Sequence, residues 1–230
     1  MDFVQGAFKY MCDDDFAIVM QYLGNDSMVT IPDVVEGRTV VGIYDKVFKG
    51  NTTINRITIS DTVEKIGKEA FMNCTNLSEV VFYLGYTAKS THKRKNTFTI
   101  GERAFKNCRL LEQMDTEIKY LKIGKEAFVN CENLNYVSQF SSAGPFCFKN
   151  CPCLEELFFA NNFDLTGINL IWYSAQKRYY LRKTAILDNY AIDFLRRKNI
   201  QIICPESSTL ADLAYEGINV TLESMYPKKH

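Results

Sequence analysis

The chain has 230 residues, of which 47% are hydrophobic and 23% are charged, which is ordinary for a globular protein with a buried core. The 27 lysines and arginines balance the 27 aspartates and glutamates, so no global charge attracts the chain to nucleic acid or to an anionic membrane. We find no apolar run long enough to span a bilayer, and residues 1–10 lack the basic and apolar regions of a secretory signal.

Residues 1–40 are predicted to form a capping hairpin and a strand that leads into the rest of the chain. Residues 8–12 and 16–20 alternate in polarity on either side of three aspartates at 13–15. Three carboxylates could suggest calcium, but an EF-hand loop spreads its ligands over 12 positions and includes a glycine and a terminal glutamate. We therefore interpret the aspartates as a solvated turn.

Residues 41–160 contain five copies of one pattern, I-G-x-x-A-F-x-N-C-x-x-L-x-x-V. The phenylalanines of successive copies are 23, 34, 23 and 20 residues apart, and they are Phe48, Phe71, Phe105, Phe128 and Phe148. The longest interval holds an insertion of 11 residues near 84–94. A period of about 23 residues lies in the range of leucine-rich repeats, in which each unit forms one coil of a solenoid.

Each shared position of the pattern has a physical role. The glycine permits either a positive φ or close packing of one coil on the next. The Ala-Phe pair is predicted to form a short helical turn that places a large ring in the core. The asparagine is expected to bond to the turn backbone, and the cysteine to be a small, buried and reduced thiol. The leucine opens a strand whose side chains alternate between the core and the solvent.

The outward positions of these strands form two columns that run across the coils. The first column is predicted to contain Arg56, Glu79, Gln113, Tyr136 and Glu156. The second is predicted to contain Thr58, Val81, Asp115, Ser138 and Phe158. Residue types vary from coil to coil in both columns, as a binding face allows and as any solvent face also allows. Large aromatic and arginine side chains dominate interfaces, so Tyr136, Phe158 and Arg56 are the expected anchors.

Residues 161–230 are predicted to form a strand-helix-strand cap of the same solenoid. Apolar residues from Leu187 to Leu195 have helical spacing, and three basic residues at 196–198 suit the end of a helix. Residues 200–203 are typical of a strand. A short helix that ends at Gly217 and a last strand over 218–222 are expected to follow.

The insertion carries a basic cluster formed by Lys89, Lys93, Arg94 and Lys95. Such clusters bind nucleic acid, heparin or acidic proteins, although many are simply solvated loops. The basic cluster is therefore a secondary candidate site.

Motifs for catalysis or for a cofactor were not found, and no cofactor or metal is predicted. The sequence contains neither a phosphate-binding loop nor a dinucleotide or zinc-protease motif, and its two histidines are not placed near a motif cysteine. Cys147, Cys151 and Cys153 are close enough to suggest zinc, but a fourth ligand is missing. Buried thiols are the favoured interpretation, and zinc is the alternative.

The repeat pattern resembles that of the BspA-like leucine-rich repeat family. Ile31-Pro32 with residues 34–40 looks like the beginning of that family's array, and residues 203–208 with 211–220 look like its closing unit. The resemblance implies a right-handed leucine-rich-repeat solenoid of the α/β class, built mostly of short strands with short helical turns and capped at both ends.

The resemblance also implies a binding function at the cell surface or in secreted form, although a cytoplasmic location stays open. The expected partner is another protein, of host or matrix type, rather than nucleic acid. A structural scaffold unit of a larger surface assembly, with no ligand of its own, is the alternative. Enzymatic activity is the third and least favoured hypothesis, because the sequence lacks the catalytic motifs named above.

Overall fold

The structure is a computed structural model that describes residues 2–83, 97–116, 120–160, 178–181, 189–205 and 209–223. In chain order its strands are β1 (Asp2–Gln5), β2 (Phe8–Cys12), β3 (Phe16–Tyr22), β4 (Met28–Ile31), β5 (Val34–Val35), β6 (Arg38–Ile43), β7 (Arg56–Ser60), β8 (Lys65–Ile66), β9 (Glu79–Tyr83), β10 (Thr97–Ile100), β11 (Gln113–Met114), β12 (Tyr120–Ile123), β13 (Tyr136–Val137), β14 (Phe140–Ala143), β15 (Glu156–Phe158), β16 (Arg178–Tyr180), β17 (Gln201–Pro205) and β18 (Val220–Glu223). The helix α1 spans Asn189–Arg197, and a 3-10 helix spans Thr209–Ala214.

These strands form a β-solenoid with two strands in each repeat coil. Sheet A has the order β1-β2-β3-β6-β8-β10-β12-β14, and β5 pairs with β6. Sheet B has the order β13-β11-β9-β7-β4, and sheet C has the order β15-β16-β17-β18. From β6 onward, successive strands of each stack pair in parallel, as expected for stacked coils. The predicted leucine-rich-repeat solenoid is therefore confirmed. Each repeat coil also has a second strand, in sheet A, that the sequence did not reveal.

The predicted N-terminal hairpin is confirmed as β2 and β3, which pair antiparallel, and β1 adds a third antiparallel strand at the edge of sheet A. The Asp13 carboxylate accepts the N–H groups of Asp15 and Phe16 at 3.0 and 2.7 Å. This side chain therefore closes the turn between the two strands. The three-part division of the chain and the capping role of its two ends stay predictions.

The Ala-Phe segment of each coil is a series of β-turns rather than the predicted helical turn. The reason is a residue with positive φ two positions before each phenylalanine and another two positions after it, as at Glu69 (φ 55°) and Asn73 (φ 64°). Left-handed residues at this spacing end any right-handed helix. Bonds of the i to i+3 type, such as Met72 N–H to Glu69 O, close the turns instead.

The turns of neighbouring coils are joined by backbone hydrogen bonds that all run in one direction. The second repeat coil donates three such bonds to the third, from Glu69 N–H to Glu102 O, from Phe71 N–H to Ala104 O and from Asn73 N–H to Lys106 O. The carbonyls of the same peptide groups accept from the coil before, as Ala70 O does from Phe48 N–H at 2.8 Å. We call the stacked turns the turn column.

The phenylalanine of each coil is buried in the turn column and stacks on the next one. Ring centroids are 4.8 Å apart between Phe48 and Phe71, 5.1 Å between Phe71 and Phe105, and 5.4 Å between Phe105 and Phe128. The rings of Phe71, Phe105 and Phe128 are parallel to within 2°. This aromatic stack is the axis of a core that continues through both sheets, because the inward residues of every coil pack around it.

The glycine of the pattern serves close packing, not a left-handed turn. A Cβ atom on Gly101 would lie 2.6 Å from the carbonyl carbon of Gly67, and one on Gly124 would lie 2.7 Å from the carbonyl carbon of Gly101. Backbone atoms cannot yield that space, so each coil from the second onward needs glycine where it crosses the coil before, whereas a Cβ on Gly42 in the first coil would meet nothing closer than 3.7 Å. This result decides between the two roles that the sequence left open.

The asparagines of the pattern form a ladder of side-chain amides. Asn107 donates to Asn73 at 2.6 Å, Asn130 donates to Asn107 at 2.6 Å, and Asn150 donates to Asn130 at 2.8 Å. The expectation that these amides bond to the turn backbone was therefore wrong. Their left-handed backbone, with φ 66° at Asn107, turns each amide toward its equivalent in the neighbouring coil.

The motif cysteines are buried and free, as predicted. Each thiol donates to the carbonyl of the phenylalanine in the coil before, as Cys108 does to Phe71 at 3.1 Å and Cys131 does to Phe105 at 3.1 Å. A disulfide would remove this donor. Burial also raises the pKa of the Cys74 thiol to about 12, which suppresses the reactive thiolate.

The region after the repeats continues the solenoid. Strands β15 to β18 pair in parallel in sheet C, and α1 and the 3-10 helix connect the last of them. The predicted helix, the strand after it and the last strand are confirmed within one or two residues. Leu187, the first residue of the predicted helical pattern, lies outside the described residues. In the described segments, no helix is long and apolar enough to cross a membrane.

Candidate functional site

The outward side of sheets B and C, which we call the outer face, brings most of the predicted columns together. In the first column, Arg56 pairs with Glu79, Glu79 with Gln113, and Gln113 with Tyr136. In the second column, Thr58 pairs with Val81. Parallel neighbours in register are about 4.8 Å apart, so these side chains form a continuous surface across the coils.

Ser138 is not on this surface, which corrects the predicted second column. Ser138 is 3% exposed, and its hydroxyl donates to the Asp115 carboxylate at 2.9 Å and accepts the Thr116 N–H at 2.6 Å. The strands β11 and β13 are two residues long and end before these positions. The alternation that the prediction extended to Ser138 therefore stops at Val137, while Asp115 is exposed.

Two ion pairs on the outer face join adjacent coils. Arg56 lies 3.4 Å from Glu79, and Glu156 lies 2.7 Å from Arg178. The side chains of Arg56 and Arg178 are each 42% exposed, so these pairs contribute little to stability and their arginines can reorient toward a partner. Arg178 was missed in the sequence because it falls in the stretch that lacks the repeat.

Three aromatic residues are adjacent on the outer face, and we call them the aromatic patch: Tyr136, Phe158 and Tyr180. The ring centroids of Tyr136 and Phe158 are 5.7 Å apart, and those of Phe158 and Tyr180 are 4.6 Å apart with near-parallel planes. Tyr180 is 6% exposed and supports Phe158 from the next coil. Its hydroxyl lies 3.5 Å from the Glu156 carboxylate. The alternation of Arg178, Tyr179 and Tyr180 before a leucine was the available signal for this strand.

The turn column carries a second charged surface, but its charges are paired with one another. Glu126 accepts hydrogen bonds from Arg103 at 2.9 and 3.3 Å and from Lys106 at 2.9 Å. These bonds lower the pKa of the Glu126 carboxyl to about 2, against the opposing effect of burial. Glu69, bonded to Lys49 at 2.7 Å, also has a lowered pKa. This network stabilises the turns and leaves little free charge for a ligand.

The remaining candidates are placed as follows. Cys147 and Cys151 are buried, while Cys153 is exposed, which corrects the expectation that all three are buried thiols. Within the described part of the chain, no group of three or more histidine, cysteine, aspartate or glutamate side chains is arranged to hold a metal ion. The basic cluster of the insertion lies outside the described residues.

The stacked coils and their motif can be compared with known families. Residues 79–192 match the model of the BspA type leucine rich repeat region in 6 copies. The chain belongs to the BspA-type leucine-rich repeat family. Leucine-rich repeat proteins generally mediate protein interactions and are generally non-catalytic. No curated protein sequence shows a significant match to the chain.

A solved structure supports the same fold. A leucine rich repeat protein from T. pallidum is similar over 88% of this BspA-type chain and 96% of its own, with a TM-score of 0.59 and 20% identity. A leucine rich cell surface protein from Faecalibacterium prausnitzii is similar over 90% of this chain and 71% of its own, with a TM-score of 0.47 and 19% identity. At 20% identity, the similarity to the T. pallidum protein supports the fold alone.

Proposed function

We propose that this chain is a non-catalytic protein-binding module whose partner docks on the outer face. The observation that carries the proposal is the aromatic patch, in which Tyr136 and Phe158 are partly exposed and next to each other. Partly exposed aromatic side chains that rest on a rigid surface are typical anchors of protein interfaces, because they bury a large area and lose little entropy.

The surroundings of the aromatic patch support the same proposal. Arg178 and Glu156 lie beside the patch, and Arg56 lies further along the same column. Polar and charged groups around an apolar centre are the usual arrangement of a protein interface. Tyr180 stacks on the Phe158 ring from the neighbouring strand, so the anchor is already ordered before a partner arrives.

We propose a location at the cell surface or outside the cell, with a host or matrix protein as the partner. The support is the family, together with the description of the Faecalibacterium prausnitzii relative as a cell surface protein. The partner expected on this ground is a protein with an apolar patch of its own, since the aromatic patch offers apolar area rather than a net charge.

Surface plasmon resonance against a panel of purified extracellular-matrix proteins tests the proposal. The double variant Tyr136→Ala/Phe158→Ala should lower the affinity for the bound matrix protein by about 30-fold or more, since hot-spot truncations cost about 2 kcal/mol or more. The matched control is Tyr215→Ala/Leu110→Ala, because both residues are exposed (92% and 44%) and lie away from the outer face. This control should bind like the wild type, and circular dichroism should show that both variants are folded.

The basic cluster is the competing site, and salt separates it from the outer face. Binding through Tyr136 and Phe158 should change little with ionic strength, whereas binding through charge weakens steeply. A variant with Lys93, Arg94 and Lys95 changed to glutamine should therefore keep its affinity. If binding is lost in that variant alone and is strongly salt-sensitive, the partner site lies on the insertion.

A scaffold role is the second candidate, and the ion pairs between coils favour it. The pairs Arg56–Glu79 and Glu156–Arg178 satisfy charges of the outer face within the chain. A scaffold unit predicts no affinity for any matrix protein in the panel, together with self-association of the wild-type chain in light-scattering measurements.

A further inference from the structure

A cleft of about 380 Å³ lies where β8, β10 and β12 of sheet A run into the turns. It is on a different surface from the outer face. Its walls are mainly lysines, one threonine and the glycines at which successive coils cross, namely Lys65, Lys68, Thr99, Gly101, Lys122 and Gly124. Asp45 and Glu102 are its acidic residues. We call it the sheet A cleft.

Two lysines flank a threonine across this cleft. Thr99 pairs in register with Lys65 on one side and with Lys122 on the other. Because neighbouring strands are about 4.8 Å apart, the two lysine Cα atoms are roughly 10 Å apart. Both lysines are exposed, and neither forms an ion pair with any residue in the described part of the chain. Two cations held at this separation favour an anionic group between them.

The chain itself shows how a carboxylate fits at this level of the coil. The Asp45 carboxylate accepts the backbone N–H of Lys68 at 2.7 Å. The same carboxylate oxygen occupies space that a Cβ on Gly67 would fill, since it lies 2.6 Å from that position. The glycine and the N–H of the residue after it thus form a seat for a carboxylate oxygen.

One coil further along, none of the residues that the structure describes places a carboxylate in the same seat. The residue equivalent to Asp45 is Lys68, three positions before the phenylalanine of its coil, and an ammonium group cannot accept a hydrogen bond. Gly101 and the N–H of Glu102 repeat the seat, and no acceptor for this N–H is found among the residues that the structure describes. Lys65, Thr99 and Lys122 line the same cleft as this second seat.

The acidic side chains of the cleft already have partners. Asp45 is bonded to the N–H of Lys68. The Glu102 carboxylate lies 3.3 Å from the Lys68 ammonium and 3.5 Å from the Arg103 guanidinium. These carboxylates therefore neutralise Lys68 and Arg103, while the charges of Lys65 and Lys122 are left for a ligand.

We propose that the sheet A cleft binds an aspartate or glutamate side chain of an acidic peptide segment. One carboxylate oxygen accepts the N–H of Glu102 against Gly101, and the ammonium groups of Lys65 and Lys122 flank the carboxylate. The Thr99 hydroxyl supplies a further donor within the same column. The site is separate from the aromatic patch, so it adds an acidic segment to what the module recognises.

A hexaglutamate peptide is the probe, and its affinity for the full chain is measured at low salt. The variant Lys65→Gln/Lys122→Gln should weaken binding at least about tenfold, because it removes both charge-assisted contacts. The matched control is Lys9→Gln/Lys198→Gln, which removes the same net charge outside the cleft, from an exposed Lys198 and from a Lys9 whose side chain is 41% exposed and pairs with Asp2. It should change the affinity by less than about twofold. The Tyr136→Ala/Phe158→Ala variant should also keep its affinity, which separates this test from that of the outer face.

Backbone amide shifts locate the carboxylate. In a peptide titration followed by nitrogen-15 NMR, the amide proton of Glu102 should move downfield, whereas that of Lys68 should move little because Asp45 already occupies its donor. Equal losses in the cleft variant and the control would overturn the proposal, as would an unmoved Glu102 amide. A Glu102 shift produced by a heparin oligosaccharide but not by hexaglutamate would assign the cleft to sulfated glycans instead.

Discussion

The turn column and the outer face are built from the same coils by opposite rules. In the turn column, a ring stacks on a ring, an amide bonds to an amide, and a thiol bonds to a carbonyl at each step along the chain. On the outer face, residues in register differ, as Arg56, Glu79, Gln113 and Tyr136 do. A change in the turn column therefore interrupts an interaction between coils, while a change on the outer face removes mainly a surface group.

This difference between the turn column and the outer face indicates which side chains can occupy the same position in neighbouring coils, about 5 Å apart. Aromatic rings and amides attract their own kind, so they occupy the same position in every coil. Like charges repel, and at the left-handed position before each phenylalanine the sign alternates through Lys46, Glu69, Arg103 and Glu126. Repetition of a residue type is thus a sign of a contact between coils, and alternation of charge is another.

The largest expected effect is on the aromatic stack. Phe105→Ala should lower the free energy of unfolding by about 3–5 kcal/mol, because it leaves a cavity between Phe71 and Phe128. Phe105→Leu should cost only about 1 kcal/mol, since it keeps most of the apolar volume and loses the ring contacts. Urea unfolding followed by circular dichroism measures both. Similar losses for the two variants would contradict the cavity as the main cause and would show that the ring contacts themselves dominate.

The asparagine ladder should come next. Asn107→Ala should cost about 2–3 kcal/mol, because alanine is strained in the left-handed region and two amide hydrogen bonds are lost. Asn107→Gly should cost about 1 kcal/mol less, since glycine removes the strain and Gly50 already occupies this position in the first coil. Unfolding midpoints in urea compare the two. An Asn107→Ala variant that is more stable than Asn107→Gly would refute the left-handed conformation of residue 107.

The ion pairs of the turn column should have a smaller and pH-dependent effect. The pKa of Glu126 is lowered from 4.5 to about 2, so its contribution is complete above pH 4.5 and is lost as the pH falls toward 2. Glu126→Gln should cost about 1–2 kcal/mol at neutral pH after allowance for the partial exposure of Arg103, and almost nothing near pH 2.

Urea unfolding of the Glu126→Gln variant at several pH values checks this prediction. The control is Glu132→Gln, because Glu132 pairs with Arg109 at 3.4 Å with both side chains more than half exposed. That variant should change the stability by less than about 0.5 kcal/mol at any pH. A Glu126→Gln variant with the same acid sensitivity as the wild type would show that another carboxylate controls the acid transition.

The smallest effect is expected from the insertion. Removing four residues within 89–96 should change the free energy of unfolding by less than about 0.6 kcal/mol, because the closure entropy of a surface loop depends weakly on its length. The same urea titration provides the comparison with Phe105→Ala. A loss as large as that of Phe105→Ala would place the insertion within the core.

The fold could be predicted from the sequence wherever a residue type repeats. The five phenylalanines and glycines defined the coils, and the helical spacing before Arg196 defined α1. The sheet A strands of the repeat coils were missed, and β8 has only two residues, Lys65 and Ile66, which is too short for alternation to be visible. The helical turn was wrongly predicted because the left-handed conformation of Glu69 has no signal in the residue type.

The candidate site was partly predictable. The register of Arg56, Glu79, Gln113 and Tyr136 follows from the motif alone, and the structure has the same register. Ser138 was misplaced because the length of β13 is not encoded in the pattern. The sheet A cleft was invisible in the sequence. The N–H of Glu102 is recognised as a candidate donor only when the stacking of the coils shows that Lys68, and not an acidic residue, occupies the position equivalent to Asp45.

The one-way hydrogen bonds of the turn column have an electrostatic consequence for the whole molecule. Peptide groups whose carbonyls all point to the coil before and whose N–H groups all point to the coil after add their dipoles head to tail, as they do in an α-helix. The negative pole lies at the first coil, where the ammonium groups of Lys46 and Lys49 are found. Each additional repeat lengthens this macrodipole, so the number of coils sets the field at the two ends as well as the area of the faces.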